Sequence, residues 1–102
     1  MKVTKLALFM QLKAKAGKEE EVVAFLKDAA ALLEQEPLTV AWFAVRFNQS
    51  TFGIFDAFDS DQGRQAHLSG AIAAALMAKY GELFEGPLEI KQPDVLADRL
   101  LG

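Results

Sequence analysis

His67 is the only histidine in the chain, and imidazole is the side chain that most readily exchanges a proton near neutral pH. Projected around a helix at about 100° per residue, its neighbours are Gly63, Gly70, Ala71, Ala74 and Ala78, while Leu68, Ile72 and Leu76 fall on a different side. The face around His67 therefore carries little side-chain volume. Missing volume beside an imidazole describes a pocket between helix and sheet, in which the ring acts as a base or a hydrogen-bonding group. It describes equally a close helix–sheet contact, with the ring at its rim or bonded to a backbone carbonyl.

Asp56 is a carboxylate set among apolar strand residues, Ile54, Phe58 and Phe43. A charge buried there must be paired or given up. Asp56 is thus a candidate general base, or the group that orients His67. An edge-exposed residue or a structural ion pair would leave the same trace. Trp42 and Arg46 lie four apart on one side of a strand. Together they suit a planar aromatic ligand, the indole stacking and the guanidinium meeting an oxygen, or they anchor a protein interface. Phe9, Phe25, Tyr80 and Phe84 read as core or pocket wall.

Other chemistries lack their residues. The chain has no cysteine, so disulfides, zinc–thiolate sites and iron–sulfur ligation are excluded, and a reducing cytoplasm fits. There is no H-x-x-x-H, no EF-hand spacing, no glycine-rich phosphate loop and no G-x-S-x-G elbow. Chemistry is therefore expected to run without a bound nucleotide cofactor or a protein-held metal. Net charge is −3 with the lysines and arginines scattered, which leaves no basic stripe for nucleic acid. No run approaches the ~20 apolar residues of a membrane span.

The elements that must position these residues follow from periodicity. Residues 3–13 alternate, with Leu6, Leu8, Met10 and Leu12 on one side and Lys5, Ala7, Phe9 and Gln11 on the other, which predicts a strand. That alternation explains the opening run, with Lys2 ahead of it, better than a secretory leader does. Residues 18–35 form a helix on the stripe Val22, Phe25, Leu26, Ala29, Leu32 and Leu33, with Glu19, Glu20 and Glu21 at its positive end and Pro37 stopping it. Residues 38–47 and 51–58 are strands around a turn at Asn48-Gln49-Ser50. Asp59 or Ser60 caps a second long helix running to Ala78 or Lys79, and residues 80–84 make a short extra turn. Residues 88–92 form a last strand, and Asp94 caps a short helix over 95–101. The order β-α-β-β-α-β predicts one ferredoxin-like α+β domain over 1–102, an antiparallel sheet with helices on one face.

If Asn48 and Thr51 flank the turn, Phe47 faces Phe52, Val45 faces Ile54 and Phe43 faces Asp56. One sheet face then carries Phe43, Val45, Phe47, Phe52, Ile54, Asp56 and Phe58; the other carries Trp42, Ala44, Arg46, Gly53, Phe55 and Ala57. Both are largely apolar, yet helices cover one only. Hydrophobic residues make up 52% of the chain, and the uncovered face calls for a second copy, so a homodimer is expected.

The run Ser50-Thr51-Phe52-Gly53-Ile54-Phe55-Asp56-Ala57-Phe58, followed by Arg64-Gln65-Ala66-His67-Leu68-Ser69-Gly70, resembles the antibiotic biosynthesis monooxygenase family of dimeric α/β barrels. The rest of the chain matches that family in length and element order. The resemblance implies two sheets packed face to face and an apolar pocket between each sheet and its helices. It also implies a cofactor-independent monooxygenase that oxidises an anthrone- or quinol-type aromatic with O₂, the deprotonated substrate supplying the electrons. His67 would accept the phenolic proton or bond the oxyanion and Asp56 would orient it, with Phe9, Trp42, Arg46, Phe55, Phe58, Gly70 and Met77 around the substrate. Haem-degrading members place a tryptophan near the position of His67 and a histidine one to three turns on, where this chain has Met77; His67 is its one candidate haem ligand. A non-catalytic dimeric binding or stress-related protein of the same fold is the alternative.

Overall fold

A computed structural model describes residues 3–101; Met1, Lys2 and Gly102 lie outside the described residues, and with them the start of the apolar opening run. Strand β1 (Leu6–Ala14) leads to helix α1 (Glu19–Ala29), which tightens into a 3₁₀ stretch, Ala30–Gln35. Strands β2 (Thr39–Arg46) and β3 (Thr51–Phe58) follow, then helices α2 (Asp61–Leu68) and α3 (Ala71–Leu83), and the short strands β4 (Phe84–Glu85) and β5 (Ile90–Lys91). The sheet runs β2-β3-β1, with β4 and β5 both on the free edge of β1. All pairings are antiparallel. β4 and β5 thus make one interrupted fourth strand, broken where Gly86 takes a φ of 80° ahead of Pro87. The architecture is the expected ferredoxin-like βαββαβ.

The helical face of the sheet is set by alternation. Leu8, Met10 and Leu12 of β1 sit opposite Asp56, Ile54 and Phe52 of β3, and all are buried with Phe58. Val22, Leu26 and Ala29 of α1, and Ile72, Leu76 and Leu83 of α3, close over them. Each such aliphatic or aromatic side chain contributes about 1.5–3 kcal/mol on burial, which outweighs the weak propensities of the short elements.

The hairpin register differs from the expected one by a single residue. Arg46 faces Phe52, Ala44 faces Ile54 and Trp42 faces Asp56. The Phe47 N–H bonds the Thr51 carbonyl, and Asn48 Oδ1 accepts from the N–H groups of Ser50 and Thr51. Phe47 and Thr51 therefore flank a three-residue turn closed by the Asn48 side chain. A slip of one exchanges the two faces of a strand. Trp42 and Arg46 share the helical face with Asp56, while Phe43, Val45 and Phe47 lie on the open face with Phe55. The expected neighbourhood of Phe43 with Asp56, and of Trp42 and Arg46 with Phe55, is corrected accordingly. Across the open face, Phe9, Phe55 and Phe43 stand in one row on β1, β3 and β2, and Phe43 and Phe47 are more than half exposed.

Three further expectations change. The second long helix is two, parted at Ser69-Gly70. Residues 80–84 continue α3 and open β4 rather than forming a separate turn. Residues 95–101 hold no helix: the tail runs extended beside β1, with the Val95 N–H on the Lys5 carbonyl, the Ala7 N–H on the Pro93 carbonyl and Asp98 accepting from the Thr4 N–H and hydroxyl. Seven residues are too few to nucleate a helix without packing, and strand-edge bonds are available instead. Among the described residues no helix is long and apolar enough to cross a membrane.

Candidate functional site

Asp56 stands mid-strand on β3 with no exposed surface. α2 crosses above it, started by Ser60, whose hydroxyl accepts from the Gly63 N–H. Gly63 permits the close approach, since a Cβ there would lie 3.0 Å from the Leu38 carbonyl oxygen. One turn on, His67 occupies the last turn of α2, 4% exposed, where the negative end of the helix favours an imidazolium.

The ring lies between two carboxylates. Its Nδ1 is 2.6 Å from Glu36 Oε1 and its Nε2 is 2.9 Å from Asp56 Oδ2. The first contact is an aligned hydrogen bond. The second sets the ring against a carboxylate whose oxygens have no other protein partner among the described residues. The Phe58 ring packs 5.5 Å from the imidazole. Burial alone would lower the His67 pKa, but the contact and charge of Asp56, then those of Glu36, outweigh it and raise the value above 6.5. The two carboxylates accordingly favour the protonated form of the ring.

Glu36 does a second job. Its Oε2 accepts the Ile72 N–H at 3.0 Å, at the start of α3, whose N-cap Gly70 has no side chain to offer. A Cβ at Gly70 would lie 3.0–3.1 Å from the Glu36 carboxyl group and 2.9 Å from the Ala66 carbonyl oxygen. The break between α2 and α3 is thus where this carboxylate enters. Sequence reasoning missed Glu36 because it lies before Pro37 at a helix end, where an acidic residue reads as solvated surface. The bare Gly70 cap was the available signal, and it shows only once the helix is known to be broken.

The imidazole closes one end of an apolar cavity of about 150 Å³ between α2–α3 and the sheet, walled by Met10, Ile54, Ile72, Leu76 and Met77. A second hollow of about 130 Å³ lies on the Glu36 side, against Gly63 and Gly70. A groove of about 350 Å³ lies elsewhere, between α1 and β2. Of the residues expected around one pocket, the structure brings together His67, Asp56 and Phe58, with Gly70 behind Glu36 and Met77 in the cavity wall. Trp42 and Arg46 line the separate groove, and Phe9 and Phe55 pair across the open face of the sheet. Among the described residues no group of three or more acidic or histidine side chains is arranged to hold a metal ion; Glu36 and Asp56 approach different nitrogens of the ring and share no common point with it.

No family model matches the chain, and no curated protein does. Solved structures match along nearly its whole length. A protein of unknown function from Nitrosomonas europaea is 50% identical, with a TM-score of 0.93 over 97% of this chain and 96% of that chain. A candidate antibiotic biosynthesis monooxygenase from Caulobacter crescentus is 19% identical, with a TM-score of 0.76 over 92% of each chain. Another, from Chloroflexus aurantiacus, is 17% identical, with a TM-score of 0.73 over 97% of this chain and 100% of that chain. At these lower identities the likeness is one of fold.

Proposed function

We propose a function for a chain that belongs to the same family as the Nitrosomonas europaea protein of unknown function: a homodimeric monooxygenase that oxidises a small phenolic or quinol-like ring with O₂ and no bound cofactor. The observation that carries this reading is a buried His67–Asp56 pair whose imidazole lines an apolar cavity. The names of the fold neighbours from Caulobacter and Chloroflexus support it.

A cavity near 150 Å³ suits one ring, since an engineered apolar cavity of about that size takes up benzene. His67 lines the cavity, whereas Asp56 is fully buried against the ring's Nε2 and lines neither hollow. In this reading His67 takes the phenolic proton or bonds the oxyanion, and Asp56 orients the ring and balances the charge that forms on it. The phenolate then supplies electrons to O₂. One oxygen atom bonds to a ring carbon, the O–O bond breaks, and the other oxygen leaves as water with the two hydrogens the substrate loses. The apolar walls keep water from the intermediate.

The homodimer rests on the open face, where the row Phe9, Phe55 and Phe43 lacks a cover of helices; the cysteine-free chain suits a reducing cytoplasm. A non-catalytic ligand-binding role is favoured by one observation, the complete burial of Asp56.

Oxygen uptake by metal-stripped protein against phenols, quinols, catechols and anthrones tests the reading. Turnover should favour single-ring substrates and drop by about 100-fold or more in His67→Gln. No uptake with any substrate, while single-ring phenols still bind, would leave the binding role in its place.

A further inference from the structure

We propose that the groove between α1 and β2 binds a carboxylate carried on an apolar body, at a site separate from the His67 cavity. The two share no lining residue, and the proposal does not rest on the monooxygenase reading.

The groove, about 350 Å³, is walled chiefly by Val23, Leu26, Trp42 and Phe52, with Lys27 and Arg46 as its charged members. No acidic side chain lines it. Lys27 makes no ion pair among the described residues. Arg46 is held in place: its Nε–H donates to the Asn48 carbonyl, its Nη2 to the Gln49 carbonyl at 2.8 Å, and its guanidinium sits 5.0 Å above the Phe52 ring. Those bonds leave Nη1 without a protein acceptor among the described residues. Glu20 approaches Arg46 at 3.6 Å, but its side chain is 86% exposed, and such a surface pair is weak enough to be displaced.

The second observation is Trp42. Its Nε1 is buried and has no acceptor, although an indole N–H is donor only and normally finds a partner when buried. Two cations beside apolar walls and an indole, with the exposed Glu20 the one carboxylate near Arg46 among the described residues and none in the lining, match an anionic head on an apolar chain or ring. Two partly exposed cations suit a single negative charge better than a phosphate dianion, which draws bidentate arginine clusters.

Trp42 is the only tryptophan, so its fluorescence reports the site directly. Decanoate below its micelle concentration is titrated, with decanol and decylamine as neutral and cationic controls and calorimetry in parallel. Decanoate should saturate the signal and bind more tightly than either control. Lys27→Gln and Arg46→Gln should each weaken it by about fivefold, the size of a partly exposed charge contact, and added salt should weaken it further. Lys27 is exposed on α1, so its variant keeps the test valid if Arg46→Gln disturbs the hairpin. His67→Gln should bind decanoate as wild type does, which separates this site from the oxidation site. Equal affinity for decanol, no loss in Lys27→Gln, or silence in both fluorescence and calorimetry would overturn the proposal.

Discussion

Glu36 and His67, 31 residues apart in sequence, meet through a 2.6 Å bond from Nδ1 to Oε1, and the same carboxylate caps α3 through Ile72. One side chain therefore ties the segment before β2 to both helices above the sheet. It also favours the charged form of the imidazole that faces Asp56.

Glu36→Gln keeps one oxygen for the Ile72 N–H but turns an amide NH2 toward His67 Nδ1, removing the charge and the ring's acceptor together. It should lower the His67 pKa and cost about 2 kcal/mol, the worth of a hydrogen bond to a charged group. Ring resonances of His67 followed by NMR against pH, with urea melts alongside, read both. An unmoved titration would mean that Asp56 alone sustains the imidazolium.

The raised His67 pKa carries a sign for stability. Its folded value lies above 6.5, so the folded state holds the proton more tightly than the unfolded chain. The stabilisation is fully present below about pH 6.5 and is lost as pH rises through the folded value. Wild type compared with His67→Gln should show a gap in Tm that narrows toward alkaline pH. A gap that widened there would reverse the assignment.

Gly70→Ala places a methyl group against the Ala66 carbonyl oxygen, which is backbone and cannot turn aside, and against the Glu36 carboxyl group. Overpacking of this kind costs about 1–3 kcal/mol. The variant should melt earlier than wild type and lower the His67 pKa as Glu36 is pushed away. A full Tm with an unchanged His67 titration would show that the break between α2 and α3 has slack to absorb it.

Phe43→Asp puts a charge at the end of the phenylalanine row, on a residue 56% exposed in the single chain. Under the homodimer proposal it should sediment as a monomer at concentrations where wild type is a dimer, with its far-ultraviolet circular dichroism retained. Wild type sedimenting as a monomer would remove the dimer from the proposal.

Much of this protein was legible in one dimension. The alternation of Leu8, Met10 and Leu12 marked β1, the run 51–58 marked β3 to the residue, and the spacing of Val22, Leu26 and Ala29 marked the buried side of α1. These are local periodicities, and burial on one face of a sheet rewards them wherever the partner lies. His67 and Asp56 were also recognisable, as a lone imidazole on a small-residue helix face and a carboxylate in an apolar strand.

Tertiary structure decided how they meet. The hairpin register turned on how many residues the Asn48 side chain bridges, a one-residue matter that assigns every β2 side chain to a face. Glu36 had no periodic signal, because its role depends on Gly70 and Ile72 arriving from more than thirty residues further along the chain. The tail at 95–101 had a helical pattern, but the free edge of β1 offered its backbone better partners. Each of these outcomes depends on contacts between segments distant in the chain, where a single hydrogen bond or the absence of one Cβ outweighs local preference.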